Sequence, residues 1–168
     1  MGKNPAGPAP SETDGFISDE DYKKILDIVP VACVDVVVVL GGKFLMGKRI
    51  NEPARGAWWI PGGRVFKGEI LEETAVRKIS EELGVVANTN DFTFLTGKET
   101  MFENSAVEGV SSHTINSVFV LKLNEEPEVN LNASDFSEVR WFGEIDENFH
   151  PYLKFVLGEA GFTLTPTG

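Results

Sequence analysis

The chain switches between two hydrophobic periods. From Ser18 to Val29, the apolar residues Tyr22, Ile25, Leu26 and Val29 recur at helical spacing. Ser18 and Asp21 form an N-cap pair, and Pro30 stops the segment. Val31 to Leu40, VACVDVVVVL, is a nearly continuous β-branched run, too short to span a membrane and suited to a strand buried on both faces. Gly41-Gly42 reads as a hairpin turn into a strand over Lys43–Arg49, and residues 50–57 as a polar loop. Trp58–Ile60 is a short strand running into a Pro-Gly-Gly turn. From Ile70 the helical period returns, with Leu71, Ala75, Ile79 and Leu83 on one stripe at about 100° per residue. Strands follow over Phe92–Met101, His113–Leu123 and Val139–Phe142, separated by a loop over 102–112 and an acidic connection over 124–133. Pro151 opens a last helix. Strands interleaved with one central and one terminal helix predict an α/β (α+β) fold, a mixed sheet packed between helices.

The polar side of the central helix carries the chemistry. Lys78, Glu81 and Glu82 lie together along one edge of the buried stripe. Carboxylates beside a core are electrostatically unfavourable and call for a cation. Grouped oxygens suit Mg²⁺, with Mn²⁺ as the alternative, because such an ion keeps waters that exchange with substrate phosphates. Gly62 and Gly63, ahead of the helix, are expected to turn sharply and to offer a carbonyl or N–H to a ligand. Asp35 is the anomaly of the first strand. A carboxylate there needs a partner or a role in a pocket, and Arg49 or Arg64 would serve as partner.

Composition narrows the function. The 168 residues form one domain, 16–168, behind a tail, Met1 to Gly15, that is rich in proline and glycine and is expected to be mobile. A net charge of −11 disfavours nucleic acid as partner, since that affinity comes from clustered Lys and Arg. No apolar run reaches membrane-spanning length and no signal-peptide core is present, so no membrane partner is expected and the protein reads as soluble and cytoplasmic. The single cysteine, Cys33, sits in an apolar run and reads as core.

Gly63, five residues, Glu69, seven residues, Arg77, then Ile79, Glu81, Glu82, Gly84 and Val85 resemble the signature of the Nudix hydrolases. That resemblance implies an α/β/α sandwich and divalent-metal-dependent hydrolysis of a nucleoside diphosphate derivative. Lys78 departs from it, standing where the signature has glutamate. This implies fewer metal ions and no base at that position.

Within the family, Phe44 to Arg49, Asn51, Pro53-Ala54, Gly56, Trp58 and Pro61 to Val65 are similar to the GDP-mannose mannosyl hydrolases, as are Arg140-Trp141 and residues 148–150. The similarity covers about residues 16–157 and implies a nucleotide-sugar substrate and a homodimer. It implies that Arg49 and Arg64 contact the diphosphate and that Asp35 faces the substrate. Glu82 and the Gly62 carbonyl would hold Mg²⁺, with Glu81 next, while Glu69 and Arg77 brace the loop and helix. Lys78, one turn before Glu82, would neutralise that carboxylate or meet a phosphate.

The general base is less defined. Mannosyl hydrolases resemble one another in a Gln-His pair before the Arg-Trp strand, and this chain has Asp135-Phe136 there. Asp135 can take a proton or bind metal; phenylalanine can do neither. His113 and His150 lie elsewhere, and His150 before Pro151 suits a helix cap as well as catalysis. Two chemistries stay open: water attacking the sugar carbon, or water attacking phosphorus. A Nudix-fold module that binds a nucleotide sugar without turnover is the alternative of a different class.

Overall fold

The computed structural model describes residues 15–166. All of the expected N-terminal tail except Gly15 lies outside them. The elements in chain order are α1 (Asp19–Ile28), β1 (Val31–Leu40), β2 (Lys43–Arg49), β3 (Trp58–Trp59), β4 (Gly62–Arg64), α2 (Leu71–Leu83), β5 (Phe92–Phe102), β6 (Ser112–Lys122), β7 (Phe136–Phe142) and α3 (Pro151–Glu159), with a 3₁₀ turn at Thr89–Asp91. Among the described residues no helix is long and apolar enough to cross a membrane.

The local signals act where they stand in the sequence. The Ser18 hydroxyl accepts the Asp21 N–H at 3.2 Å and caps α1. His150 Nδ1 accepts the Tyr152 N–H at 3.1 Å and caps α3 in front of Pro151. Gly84 ends α2 in the left-handed region at φ 69°, with its N–H on the Ser80 carbonyl.

β1 is the spine of a seven-stranded mixed sheet. It runs parallel to β6 along Val31–Val39, and on its other edge it has two successive antiparallel neighbours. Cys33–Asp35 pair with β4, whereas Val38–Leu40 pair with β2. β2 then carries β7 and the short β3, and β5 closes the far side against β6. The β-branched run explains the central position: Val34, Val36, Val37 and Val38 are fully buried. Helix α2 packs on β1 and β4, α3 on β5, and α1 on β6.

Two expectations are corrected here. Gly62 and Gly63 do not turn; they form β4, and neither has a positive φ. Glycine is required at this point by close approach instead. A Cβ on Gly62 would run into the Asp35 carboxylate and come within 2.6 Å of the Val34 carbonyl, and one on Gly63 would lie 2.7 Å from Lys78 Cε. The second correction concerns the α2 stripe. Leu71 is 37% exposed, and the buried residues are Thr74, Ala75, Ile79, Glu82 and Leu83. The stripe therefore includes a carboxylate rather than merely bordering one.

The β1–β4 ladder fixes the direction of the Gly62 backbone. Val36 N–H donates to the Pro61 carbonyl and Val65 N–H to the Ala32 carbonyl. By antiparallel alternation the bonded pair between them is Val34–Gly63, so the Gly62 carbonyl points away from β1.

Replacing Gly62 by alanine should lower stability by about 3 kcal/mol or more in urea unfolding, because the Val34 backbone cannot yield. Gly97→Ala is the control. Its added carbon would meet nothing nearer than the Asn116 carbonyl at 3.8 Å, so the expected change is within about 0.5 kcal/mol.

Candidate active site

Where β1 changes partners, a cavity of about 620 Å³ opens, within the range of small-molecule sites. Its wall includes Asp35 and Cys33 of β1, Arg49 of β2, Gly62 to Arg64 of β4, Glu82 of α2 and Asp135 just before β7. Six of the expected site residues, Asp35, Arg49, Gly62, Arg64, Glu82 and Asp135, thus share one chamber. Glu69, Arg77, Lys78 and Glu81 lie behind that wall.

Behind it, the side chains form a braced layer. Glu69 accepts from Arg77 Nε at 2.7 Å and Nη2 at 2.9 Å, from the Thr74 hydroxyl at 2.7 Å, and from the Phe66 N–H at 3.0 Å. Burial opposes its charge, but the Arg77 pair and these hydrogen bonds together hold the carboxyl down at about 2. Arg77 also donates to the Arg64 carbonyl at 2.9 Å and lies over the Phe66 ring at 3.6 Å. One guanidinium thereby ties the 64–69 segment to α2.

Lys78 lies between the two glutamates that follow it. Its ammonium donates to Glu81 at 2.9 Å and to Glu82 Oε1 at 3.0 Å. Burial works against this charge, yet Glu82 and Glu81 keep its pKa above the ordinary lysine value. Glu82, 3% exposed, uses its second oxygen to accept from the Ser134 hydroxyl at 3.0 Å and the Asp135 N–H at 3.1 Å. Asp135 in turn has Oδ1 fixed by Asn51 Nδ2 at 2.6 Å. A helix, the connection before β7 and the loop after β2 are joined through one carboxylate.

Asp35 is corrected on its partner. Neither arginine pairs with it; the Tyr152 hydroxyl of α3 donates to Oδ2. Burial raises the Asp35 carboxyl to about 6, against the lowering effect of Tyr152 and the nearby Arg49 and Lys78 charges. Arg49 Nε donates to the Pro53 carbonyl at 2.7 Å, and the residue lines the chamber. Arg64 donates to the Gly15 carbonyl and covers the Phe66 ring at 4.8 Å. Burial pushes the Cys33 thiol up to about 12, so it stays protonated and is no nucleophile. Phe136 is buried, against Gly47, and His150 is held as a helix cap. Neither histidine lines the chamber.

Tyr152, Ser134 and Asn51 carry no assigned part in the sequence reading, since their contacts to Asp35, Glu82 and Asp135 span 117, 52 and 84 residues. Only a buried carboxylate in need of donors hints at them.

The NUDIX domain profile matches residues 29–156. The chain belongs to the Nudix family. It is 36% identical over 140 residues, 82% of this chain and 86% of the relative, to the low-salt glycan biosynthesis protein Agl8 of Haloferax volcanii. It is 40% identical over 72 residues, 42% of this chain and 43% of the relative, to the ADP-ribose pyrophosphatase of Methanocaldococcus jannaschii. Among solved structures, the MutT NUDIX hydrolase of Burkholderia pseudomallei aligns at TM-score 0.63 and 25% identity, covering 78% of this chain and 98% of that one. The Nudix domain thus accounts for the layering of helices on a mixed sheet.

Nudix hydrolases generally use a divalent ion such as Mg²⁺ or Mn²⁺. Among the described residues no three carboxylate, imidazole or thiolate side chains converge, so Glu81, Glu82 and Asp135 do not form one cage. Glu81 is engaged with Lys78 and Arg77 outside the chamber. What faces the chamber is Glu82, Asp135 and the Gly62 carbonyl that β1 leaves free. This all-oxygen set fits an ion that retains waters and takes its other ligands from phosphates.

Lys78→Met should cost about 3 kcal/mol in urea unfolding, by stranding the buried Glu82 charge, and adding Glu82→Gln should recover part of that loss in a double-mutant cycle. For Asp35, the folded carboxyl holds its proton to about 6 against 3.8 for the free group. The folded state binds the extra proton, so this contribution is present below pH 4 and lost as pH rises through 6. Asp35→Asn should therefore gain roughly 3 kcal/mol on the wild type between pH 4 and 7. A stability difference that stays flat over that range would contradict the assignment.

Proposed function

We propose that this Nudix protein hydrolyses a nucleoside diphosphate sugar of the GDP-mannose type, releasing the nucleoside diphosphate and free sugar. The observation that carries the reading is the shared chamber: two arginines, one free backbone carbonyl and the Glu82–Asp135 pair open on it together. Arg49 and Arg64 match diphosphate oxygens in geometry and stay charged at every working pH. The similarity along most of the chain to a glycan biosynthesis protein supports a sugar-linked substrate.

In this reading Arg49 and Arg64 orient the diphosphate. Asp135, exposed and aimed by Asn51, takes the proton of the attacking water. Asp35, paired with Tyr152, faces the substrate as a carboxyl that gives up its proton only near pH 6. Lys78 balances the charge of Glu82, and Glu69 with Arg77 keeps α2 and the 64–69 segment in place. A divalent ion, Mg²⁺ or Mn²⁺, held by Glu82 and the Gly62 carbonyl, would supply charge stabilisation to the leaving diphosphate.

One observation favours a second reading, attack at phosphorus to give a nucleoside monophosphate and a sugar phosphate. Phe136 occupies the place of a base and is buried in the core. Asp135 then serves as a metal-binding group and not as the base.

Incubation with GDP-mannose and Mg²⁺ in ¹⁸O water separates them. The expected products are unlabelled GDP and labelled free mannose, with at least a hundredfold loss of rate in Glu82→Gln. Label in GMP or in mannose 1-phosphate sinks the carbon-attack reading and leaves the pyrophosphatase. Tight binding with no product under the same conditions would assign a binding module.

A further inference from the structure

The chamber has a second end that none of these roles uses. Thr100 of β5 and Thr114 and Asn116 of β6 line it, on the opposite side of β1 from Arg49 and Asp135. Thr100 and Asn116 are 8% and 4% exposed. Valine would serve a sheet interior better at these places, since a buried hydroxyl or amide is tolerated only when it is hydrogen-bonded.

The bonds run in one direction. The Thr114 hydroxyl donates to Asn116 Oδ1 at 2.9 Å, so its oxygen must accept from Thr100 Oγ1, 2.6 Å away. Asn116 Nδ2 donates one hydrogen to the Lys98 carbonyl at 2.9 Å, which fixes the orientation of the amide. Two capacities remain uncommitted: the acceptor lone pairs of Thr100 and the second N–H of Asn116. The neighbouring Ser112 hydroxyl is engaged with the Asn104 carbonyl at 3.0 Å.

The row also has a defined distance from the arginine side. Asn116 is in register with Cys33, and Cys33 with Arg64, across three adjacent strands. Two strand spacings put Asn116, the near end of the row, about 10 Å from the Arg64 position on the same face of the sheet. A group directly bonded to a diphosphate held by Arg64 reaches that far.

We propose that Thr100, Thr114 and Asn116 form the subsite for the sugar of the nucleotide sugar. This rests on the substrate class proposed above. The row carries no charge, so it suits a neutral group and would leave a phosphate unpaired. It offers one donor and one acceptor side by side, the combination that vicinal sugar hydroxyls present in return. A nucleobase would call for a free aromatic face as well. Phe102, two residues along β5 from Thr100, already packs on Trp59 and His150, with centroids at 5.8 and 5.2 Å.

The test compares binding of GDP-mannose and of GDP, read by rapid-mixing tryptophan fluorescence before turnover. Thr100→Val and Asn116→Ala should each weaken GDP-mannose about tenfold, the loss of roughly one neutral hydrogen bond, while GDP binding stays within twofold. Thr100→Ser should restore wild-type affinity, and thermal melting of each variant reports whether the fold is kept. Equal losses for both ligands would place the nucleotide on the row and overturn the proposal. Unchanged binding of both, or a wild type that binds GDP-mannose no more tightly than GDP, would overturn it too. Product formation is scored separately: a wild type that binds with this contrast but releases no product removes the hydrolase reading and leaves the sugar subsite standing.

Discussion

A single buried carboxylate organises the side of this molecule that holds the chamber. Glu82 is inside the stripe by which α2 packs, and a charge there is tolerated only because each of its oxygens has donors. Meeting that need recruits Lys78 from the same helix and Ser134 and the Asp135 N–H from a segment 52 residues on. The connection before β7 is thereby held against the helix, and Asp135 is delivered to the chamber with its orientation set by Asn51. Electrostatic satisfaction and placement of a chamber-lining side chain are the same event here.

The other brace works on a different scale. Glu69 and Arg77 hold the 64–69 segment to α2, and the Arg77 guanidinium lies between a carboxylate and an aromatic ring. That pair touches nothing in the chamber, yet β4 borders the chamber through Gly62 and Arg64, and the Arg64 carbonyl is one of the partners of Arg77. A mixed sheet whose spine has two consecutive neighbours on one edge leaves a gap, and these two clusters keep the gap at a fixed width.

Much of this architecture is legible in the sequence because its signals are local. The Val31–Leu40 run, the Ser18 cap, the proline at the start of α3 and the α2 period each act within a few residues, and the Nudix spacing is carried by one continuous stretch. The errors have a common physical source. Gly62-Gly63 suggested a turn because glycine permits one, whereas the actual demand was room for the Asp35 carboxylate and the Lys78 stem. Asp35 suggested an arginine partner because charge complements charge, whereas a neutral tyrosine hydroxyl from α3 satisfied it. Leu71 suggested core because it fell on the stripe, yet it is the first residue of the helix and more than a third open to solvent. Each depends on what a distant segment brings close, and no residue nearby in sequence records that.

The alternation along β1 has one more effect. Cys33 and Asp35 line the chamber, while Val34 and Val36 are sealed on the other face. A slip of β1 by a single residue against β6 would exchange these sets, driving a carboxylate under α2 and two valines into the chamber. In a run as repetitive as VVVV, where neighbouring registers would otherwise bury nearly equal apolar area, Asp35 acts as an alignment mark. The carboxylate that lines the chamber is also the one that tells the spine of the sheet where to stop sliding.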